Sequence, residues 1–289
     1  MAENMNIQWY PGHMTKTRRQ MEADLKLVDA VCEIVDARIP FASRNPDIDS
    51  ICGHKPRIVV LNRMDLADPQ ATKAWVNYFK SKGMAAVPTD CKSRKGISEF
   101  TPAVRSILAE KIQRNAAKGM NKPVRVMVVG IPNVGKSTLI NQISGRKGAK
   151  AENRPGVTRG KQWVTVDNGL LLLDTPGILW PKFDDPEVGM KLAYTGAVKE
   201  QILDVEELAV FLMQLLWKHY PDAVKARYGI DMPQESTGYE LLEAAGRKRG
   251  FLMARGEINT ERMAKVLVDE YRGGKLGKFT LEMPPETEI

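Results

Sequence analysis

The chain has 289 residues, 43% of them hydrophobic and 27% charged, which is the composition of a globular protein long enough to bury one or two cores. No apolar run approaches the ~20 residues that cross a bilayer, and the N-terminus has no secretory apolar segment, so we expect a cytoplasmic protein without a membrane contact. Three cysteines without metal-ligand spacing agree with a reducing compartment. The net charge of +8 favours a polyanionic partner such as nucleic acid, although charge alone also fits a basic protein without one.

Strand and helix patterns alternate through the first part of the chain. After a turn-rich opening at residues 9–14, helices are predicted at 15–27, 75–82, 97–114 and from 138 onward. Short apolar runs predict strands at 30–36, 57–61, 85–88, 124–129, 162–167 and 170–173, the last two joined by an Asn-Gly hairpin turn. This order predicts an α/β domain with a mostly parallel sheet and helices on both faces.

The pattern of predicted elements changes after residue 186, from alternating strands and helices to helices. Helical patterns follow at 205–217, 239–247 and 260–271, and a strand pattern returns only at 278–281. We therefore expect two domains, an α/β domain over residues 1–186 and an all-helical domain over 187–289 that ends in a short tail.

Residues 130–138 match the phosphate-binding pattern G-x-x-x-x-G-K-S/T between a predicted strand and a predicted helix. Such a loop directs backbone N–H groups and a helix dipole at phosphate. Lys136 is expected to reach the β- and γ-phosphates, and the Ser137 hydroxyl to ligate Mg²⁺. The chain is therefore expected to bind a nucleoside triphosphate through the residues Asn133, Val134, Gly135, Lys136, Ser137 and Thr138.

Residues 62–65, at the end of a predicted strand, resemble the guanine-reading N-K-x-D element, with Arg63 in place of the usual lysine. The Asp65 carboxylate can accept two hydrogen bonds from guanine that adenine does not offer, and Asn62 can tie this loop to the phosphate loop. The aliphatic stem of Arg63 is expected beside the base. Cys91 and Lys92 resemble the weaker S/T-A-K element, in which the Cys91 N–H would meet guanine O6.

Residues 174–177 resemble the D-x-x-G element, in which Asp174 holds Mg²⁺ through water and the Gly177 N–H meets the γ-phosphate. Thr158 resembles the switch threonine that completes the Mg²⁺ and γ-phosphate cage. Five such elements at strand ends predict a GTPase that binds GTP, GDP and Mg²⁺.

Ras-like chains carry the phosphate loop first, whereas here the guanine-reading elements precede it. Because all five loops lie at one sheet edge, moving the termini preserves the site, and we predict a circularly permuted Ras-like P-loop GTPase. The opening at residues 9–14, the D-A-R-I-P strand end at 36–40 and the basic helical C-terminal part make the whole chain resemble the YlqF/RbgA family of circularly permuted ribosome-biogenesis GTPases, which includes MTG-like members.

The resemblance implies a catalytic device that differs from that of Ras. Ile178 follows Gly177 where Ras-like enzymes carry a water-orienting glutamine, so hydrolysis by the chain alone is expected to be slow. The family implies that His13 is a candidate catalytic residue on the ribosome, acting beside Lys136, Thr158 and Gly177. Asn133 resembles the asparagine with which related GTPases ligate K⁺.

The implied partners are the large ribosomal subunit and its RNA, contacted by a monomer through Lys and Arg side chains. The predicted contacts in the C-terminal domain are Lys225, Arg227, Arg247, Lys248, Arg249, Arg255, Arg262, Lys265, Arg272, Lys275 and Lys278, with Arg18, Arg19, Lys92, Arg94 and Lys95 as additions. A solvated basic face is the alternative explanation for these residues.

Two functions stay open at this point. One is an assembly factor whose GTP hydrolysis is coupled to maturation and release of the large subunit. The other is a GTP-dependent RNA-binding checkpoint whose hydrolysis is incidental. A signalling GTPase is disfavoured because the chain has no C-terminal C-a-a-X lipidation signal.

Overall fold

The computed structural model describes residues 12–145, 162–167, 169–177, 185–198 and 204–285, with only the backbone of 12–18, 167 and 255. In these ranges six strands form one sheet in the order β3-β2-β1-β4-β6-β5. The strands are β1 Ala30–Asp36, β2 Arg57–Asn62, β3 Ala85–Thr89, β4 Val124–Gly130, β5 Gln162–Asp167 and β6 Leu170–Asp174.

The sheet brings five strand ends together at one edge. Strands β1, β2, β3, β4 and β6 are parallel to their neighbours, and only β5 is antiparallel. The register pairs Asp36 with Asn62 and Asn62 with Thr89, while Gly130 and Asp174 end the two strands beyond β1. The carboxyl edge of a parallel sheet is where ligands bind in open α/β folds.

Helices cover both faces of this sheet. They are α1 Gly12–Leu25, α2 Ile48–Cys52, α3 Pro69–Ser81, α4 Phe100–Ile107, α5 Ala109–Ala117 and α6 Lys136–Ser144. Successive strand residues point to opposite faces, so Cys32 and Ile34 of β1 pack in the core that contains Phe100, whereas Val31 packs with Leu25 of α1. The predicted α/β architecture is confirmed.

Two predicted helices have different bounds in the structure. The helix expected over 97–114 is interrupted at Leu108, which is buried and has a φ of −107°, and it is divided into a 3₁₀ turn at Ile97–Glu99, α4 and α5. The helix that residues 75–82 were expected to continue begins at Pro69, because the Asp68 carboxylate accepts the N–H groups of Gln70 and Ala71.

The C-terminal part is helical. Its helices are α7 Pro186–Tyr194, α8 Val205–His219, α9 Pro221–Tyr228, α10 Gly238–Lys248 and α11 Thr260–Arg272, of which α7 and α9 were not predicted. They surround a second core that includes Leu212, Trp217 and Leu267. α7 contributes to both cores, since Leu192 packs in the first and Met190 in the second, so a division near residue 187 remains a proposal.

The strand predicted at residues 278–281 is not formed. This segment is extended but makes single bonds to the α/β part, from Phe279 N–H to the Leu66 carbonyl (3.0 Å) and from Leu281 N–H to the Arg38 carbonyl (2.8 Å). The apolar alternation that suggested a strand instead places Phe279 in the helical core. None of the helices in the described ranges is long and apolar enough to span a membrane.

Candidate nucleotide-binding site

The phosphate loop connects β4 to α6, and its glycines are required by close backbone contacts. Gly135 has a φ of 106°, and a Cβ there would lie 2.4 Å from Asn62 Nδ2. A Cβ on Gly130 would lie 2.6 Å from the Ile34 carbonyl oxygen. Asn133 also adopts a left-handed conformation, with a φ of 59°. The structure therefore supports the sequence interpretation of this loop as tightly folded backbone.

Lys136 is buried at the start of α6, with its ammonium against its own loop. Its Nζ donates to the carbonyl oxygens of Gly130 and Ile131, both at 3.0 Å. Burial lowers the pKa of Lys136 from 10.5 to about 8, an effect that the nearby Asp174 carboxylate opposes. A Cβ on Gly177 would lie 2.9 Å from this ammonium, so the D-x-x-G element and the phosphate loop meet here as predicted. Phosphate oxygens bound at this point would favour the charged lysine.

Asp174 provides an oxygen suited to a hydrated divalent cation. The residue is 2% exposed, and its Oδ1 has no hydrogen-bond partner among the residues that the structure describes. Burial raises the pKa of Asp174, while Lys136 and the Thr175 backbone lower it. Ser137 lies in the first turn of α6, and hard oxygen ligands of this kind are those that Mg²⁺ takes. Asp174 and Ser137 therefore fit Mg²⁺, whereas Thr158 and Ile178 lie outside the described residues.

Asn62 joins three loops of the site. Its Nδ2 donates to the Val134 carbonyl in the phosphate loop at 2.7 Å. Its Oδ1 accepts the Cys91 N–H at 3.1 Å and the Thr89 hydroxyl at 3.4 Å. The side chain is almost completely buried, so both of its polar ends depend on these partners. The tie between guanine loop and phosphate loop that the sequence suggested is present in the structure.

Arg63 and Asp65 occupy the rest of the guanine loop. Arg63 has a φ of 63°, and its guanidinium donates to the Asn133 carbonyl at 2.7 Å and to the Thr195 carbonyl at 3.5 Å. We expected its stem beside the base, and the structure adds a role for its charged head as a link to the phosphate loop and α7. Asp65 is exposed, and its carboxylate makes no hydrogen bond to another described residue, as suits a group that reads a ligand.

The loop after β3 differs from its predicted use. The Cys91 N–H, expected to meet guanine O6, donates to Asn62 Oδ1, so it is engaged within the protein in this structure. Burial raises the pKa of the Cys91 thiol to about 12, which keeps it protonated. Lys92 is exposed, and its N–H donates to Asp90 Oδ1 at 2.8 Å, which closes the turn. The reading of O6 by Cys91 stays a prediction that requires this bond to be shared or exchanged.

A buried ion pair beside the guanine loop has no role in the predicted site. Arg38 donates to both carboxylate oxygens of Asp36, at 3.0 and 2.8 Å, and both residues are buried. Arg38 lies over the ring of Tyr271 in α11, 5.3 Å from its centroid, and Arg63 approaches Asp36 at 3.5 Å. The D-A-R-I-P strand end was the sequence signal for this pair. The Asp36–Arg38 pair joins the guanine loop to the helical part of the chain.

The carboxyl end of α7 is a second connection that the sequence did not reveal. Asn133 Nδ2 donates to the Gly196 carbonyl at 2.9 Å, from the middle of the phosphate loop. From the opposite side, Arg272 of α11 donates to the carbonyls of Ala193 and Tyr194, at 2.6 and 3.0 Å. Backbone carbonyls carry no sequence signature, so residue types could not indicate this contact.

His13 lies in the first turn of α1, where only the backbone is described, and its predicted role is untested.

The site consists of a strand–glycine loop–helix unit, a guanine loop tied to it by Asn62, and the buried Asp174. Because the guanine loop precedes the glycine loop in the chain, these elements define a circularly permuted P-loop GTPase. Residues 125–233 match the family described as 50S ribosome-binding GTPase, a match that begins at β4 and excludes the upstream guanine loop. The chain is 49% identical to ribosome biogenesis GTPase A of Priestia megaterium, over 98% of this chain and 99% of that protein. It is 33% identical to mitochondrial ribosome-associated GTPase 1 of Mus musculus, over 95% and 89%.

Solved structures agree with these relatives. A GNP-bound structure of YlqF from T. maritima shares 30% identity with a TM-score of 0.61, covering 93% of this chain and 99% of that one. A GDP-bound structure of YlqF gives a TM-score of 0.63 at 30% identity and covers 93% and 100%. The chain belongs to the ribosome biogenesis GTPase A family, and it is a GTPase. The predicted fold, family and GTP hydrolysis are confirmed.

Proposed function

We propose that the chain, a GTPase of ribosome assembly, binds GTP with Mg²⁺ at the carboxyl edge of its sheet and hydrolyses it on the maturing large ribosomal subunit. The observation that supports this most strongly is the Asn62 side chain, which joins the guanine loop, the phosphate loop and the loop after β3. The bond makes one site from elements that are 72 residues apart in the chain. The relatives named for ribosome biogenesis and for 50S ribosome binding supply the partner class.

In this proposal each group has a defined task. Lys136 and the N–H groups at the start of α6 hold the phosphates, and the exposed Asp65 accepts the two guanine donors. Ser137 and Asp174 hold Mg²⁺, which supplies charge neutralisation for the phosphates. Thr158 completes the cage around the γ-phosphate, and the Gly177 N–H donates to that phosphate. Val134, Gly135 and Thr138 complete the phosphate loop.

The catalytic group that replaces the missing glutamine is proposed to be His13, brought into position by the large subunit. The proposed second cation is K⁺, with Asn133 as a ligand. Its amide nitrogen already donates to the Gly196 carbonyl, which leaves the amide oxygen for the cation. The chain is further proposed to bind ribosomal RNA as a monomer in the cytoplasm. The proposal includes the predicted division into two domains, residues 1–186 and 187–289.

The base assignment is tested by exchanging the hydrogen-bonding pattern of Asp65. Asp65→Asn cannot accept from both guanine donors, but its amide can donate to the second carbonyl of xanthine. Two hydrogen bonds to a charged group contribute about 3–6 kcal/mol, so GTP affinity should fall by roughly 10²–10⁴-fold. Affinity for xanthosine triphosphate should rise in the same variant.

Asp222→Asn is the matched control, because it makes the same chemical change at an exposed position in the first turn of α9. It should leave both affinities unchanged. If Asp65→Asn retains wild-type preference for GTP, Asp65 does not read the base and the proposed site is wrong.

A further inference from the structure

Five of the eleven basic residues predicted to bind RNA in the helical part form ion pairs with acidic neighbours. The pairs are Lys225–Asp231 (2.9 Å), Arg227–Glu270, Arg247–Glu243 (2.9 Å), Arg249–Glu270 (3.4 Å) and Lys265–Glu261 (2.5 Å). Arg272 donates to the carbonyls of α7, and Arg262 lies over the Phe251 ring at 4.3 Å. Such surface pairs contribute little to stability, but each acidic partner opposes the attraction of its cation for an approaching phosphate. Lys248, Lys275 and Lys278 make no ion pair with a described residue.

A different surface concentrates positive charge with few acidic residues. Residues 105–125, which span the end of α4, α5 and the approach to β4, contain six basic residues and one acidic residue, Glu110. We call residues 105–122 the α5 surface, and its basic side chains, all exposed, are Arg105, Lys111, Arg114, Lys118 and Lys122. Lys111 forms an ion pair with Asp29, whereas Arg114, Lys118 and Lys122 form none with a described residue.

The α5 surface borders a cleft at the amino edge of the sheet. The cleft, of about 410 Å³, is lined by residues of α5, of the end of α4 and of the segments before β1 and β2, among them Asp29, His54, Lys55, Glu110, Lys111 and Arg114. Lys55 donates to the Val28 carbonyl at 2.8 Å, and Lys111 pairs with Asp29. His54 and Arg114 are exposed at its rim and have no ion pair with a described residue. A phosphate group in this cleft would meet Lys55 on one side and Lys111 and Arg114 on the other, beside the carboxylates of Asp29 and Glu110.

No nucleotide contact is possible for this surface. Asp29 and Pro56 immediately precede β1 and β2, whereas the GTP site lies at the carboxyl ends of the same strands. A strand of six residues spans about 20 Å, so the α5 surface and the GTP site lie at opposite edges of the sheet.

From these observations we infer that the α5 surface binds the phosphate backbone of an RNA. The inference rests on the proposed function for the class of partner, and it goes beyond it by locating a contact on the GTPase part of the chain. RNA bound at the amino edge and GTP bound at the carboxyl edge would be held by the same strands. The contact should be independent of base sequence, because exposed Lys and Arg side chains here meet phosphate charge alone.

The test uses the full chain and a fluorescently labelled RNA hairpin at several salt concentrations. Arg114→Glu, Lys118→Glu and Lys122→Glu are combined in one variant. The matched control combines Lys225→Glu, Arg247→Glu and Lys265→Glu, which make the same change of charge at exposed but ion-paired positions. GDP affinity and thermal unfolding are measured for both variants, to establish that each is folded with an intact nucleotide site.

We measure the slope of the logarithm of the RNA-binding constant against the logarithm of the salt concentration. In the α5-surface variant this slope should become shallower by roughly 0.7–0.9 for each phosphate contact removed, which is about two to three for the three substitutions. The slope of the control should change less. Equal RNA binding by the α5-surface variant and wild type, or a larger loss in the control, would overturn the inference alone. A wild-type chain that does not bind the hairpin would overturn the RNA partner as well. A loss confined to phosphatidylserine vesicles, with RNA binding unchanged, would replace RNA by a lipid surface and also refute the inference.

Discussion

Removing the Asn62 side chain should separate the guanine loop from the phosphate loop. Asn62→Ala deletes the donor to the Val134 carbonyl and the acceptor of the Cys91 N–H. Both residues that lose a partner are 2% exposed, so water cannot replace the bonds without opening the structure. An unpaired buried backbone group costs about 1–3 kcal/mol, and two such groups give an expected loss of about 2–6 kcal/mol in the free energy of unfolding.

Nucleotide binding should suffer in the same variant, because the Asn133–Gly135 backbone and the Asp65 carboxylate would lose their fixed separation. We expect the GDP affinity of Asn62→Ala to fall at least tenfold. The free energy of unfolding is measured separately, by urea denaturation without nucleotide. The control is Asn77→Ala, on the exposed side of α3, which should change stability by no more than about 0.5 kcal/mol. If Asn62→Ala matches this control in both stability and GDP affinity, the loops are not joined through Asn62.

Three further predictions concern the chemistry of the site. Burial holds the pKa of Lys136 near 8, and bound phosphates should restore its ordinary value, so GDP binding at pH 8 should take up about half a proton. Because the buffer supplies this proton, the calorimetric heat of binding should differ between HEPES and Tris, and equal heats would contradict the prediction. GTP turnover should be faster in K⁺ than in Na⁺, and Asn133→Ala should abolish the difference, whereas equal wild-type rates in both salts refute the cation site. His13→Ala should retain GTP binding but lose turnover stimulated by large subunits, so an unchanged stimulated rate excludes His13.

The sequence was sufficient for the parts of the site that depend on local patterns. The alternation of predicted strands and helices and the spacing of the motifs indicated the glycine loop, Lys136 and Asp174. Each of these features requires particular side chains at particular strand ends. The permuted order was equally visible, since it is a property of the sequence itself. These features needed no knowledge of which elements pack together.

The connections between the two parts of the chain were not predictable in the same way. Asn133 and Arg272 both bind the carboxyl end of α7 through backbone carbonyls, which any residue type provides. Residues 278–281 alternated like a strand, but the alternation arises from packing Phe279 into the helical core while their backbone bonds to the α/β part. Burial against a partner element, rather than sheet formation, set that pattern.

These connections give the nucleotide site two routes to the helical part. Arg63 and Asn133 contact Thr195 and Gly196 at the end of α7, and Arg38 packs on Tyr271 of α11 beside the guanine loop. A change in the phosphate loop on hydrolysis would therefore act on the carboxyl end of α7, where Arg272 of α11 holds the preceding two carbonyls. In the proposed function, these packed and hydrogen-bonded groups connect the phosphates to the helical part that is proposed to contact the ribosome.

The rate of GTP hydrolysis with and without purified large ribosomal subunits tests the central claim most directly, with the GDP-bound chain as the control for association. The account predicts slow turnover by the chain alone, strong stimulation by large subunits, and weaker association of the GDP-bound form. Nucleotide-dependent association without any stimulation of hydrolysis would contradict it, and would make the chain a GTP-dependent RNA-binding checkpoint instead.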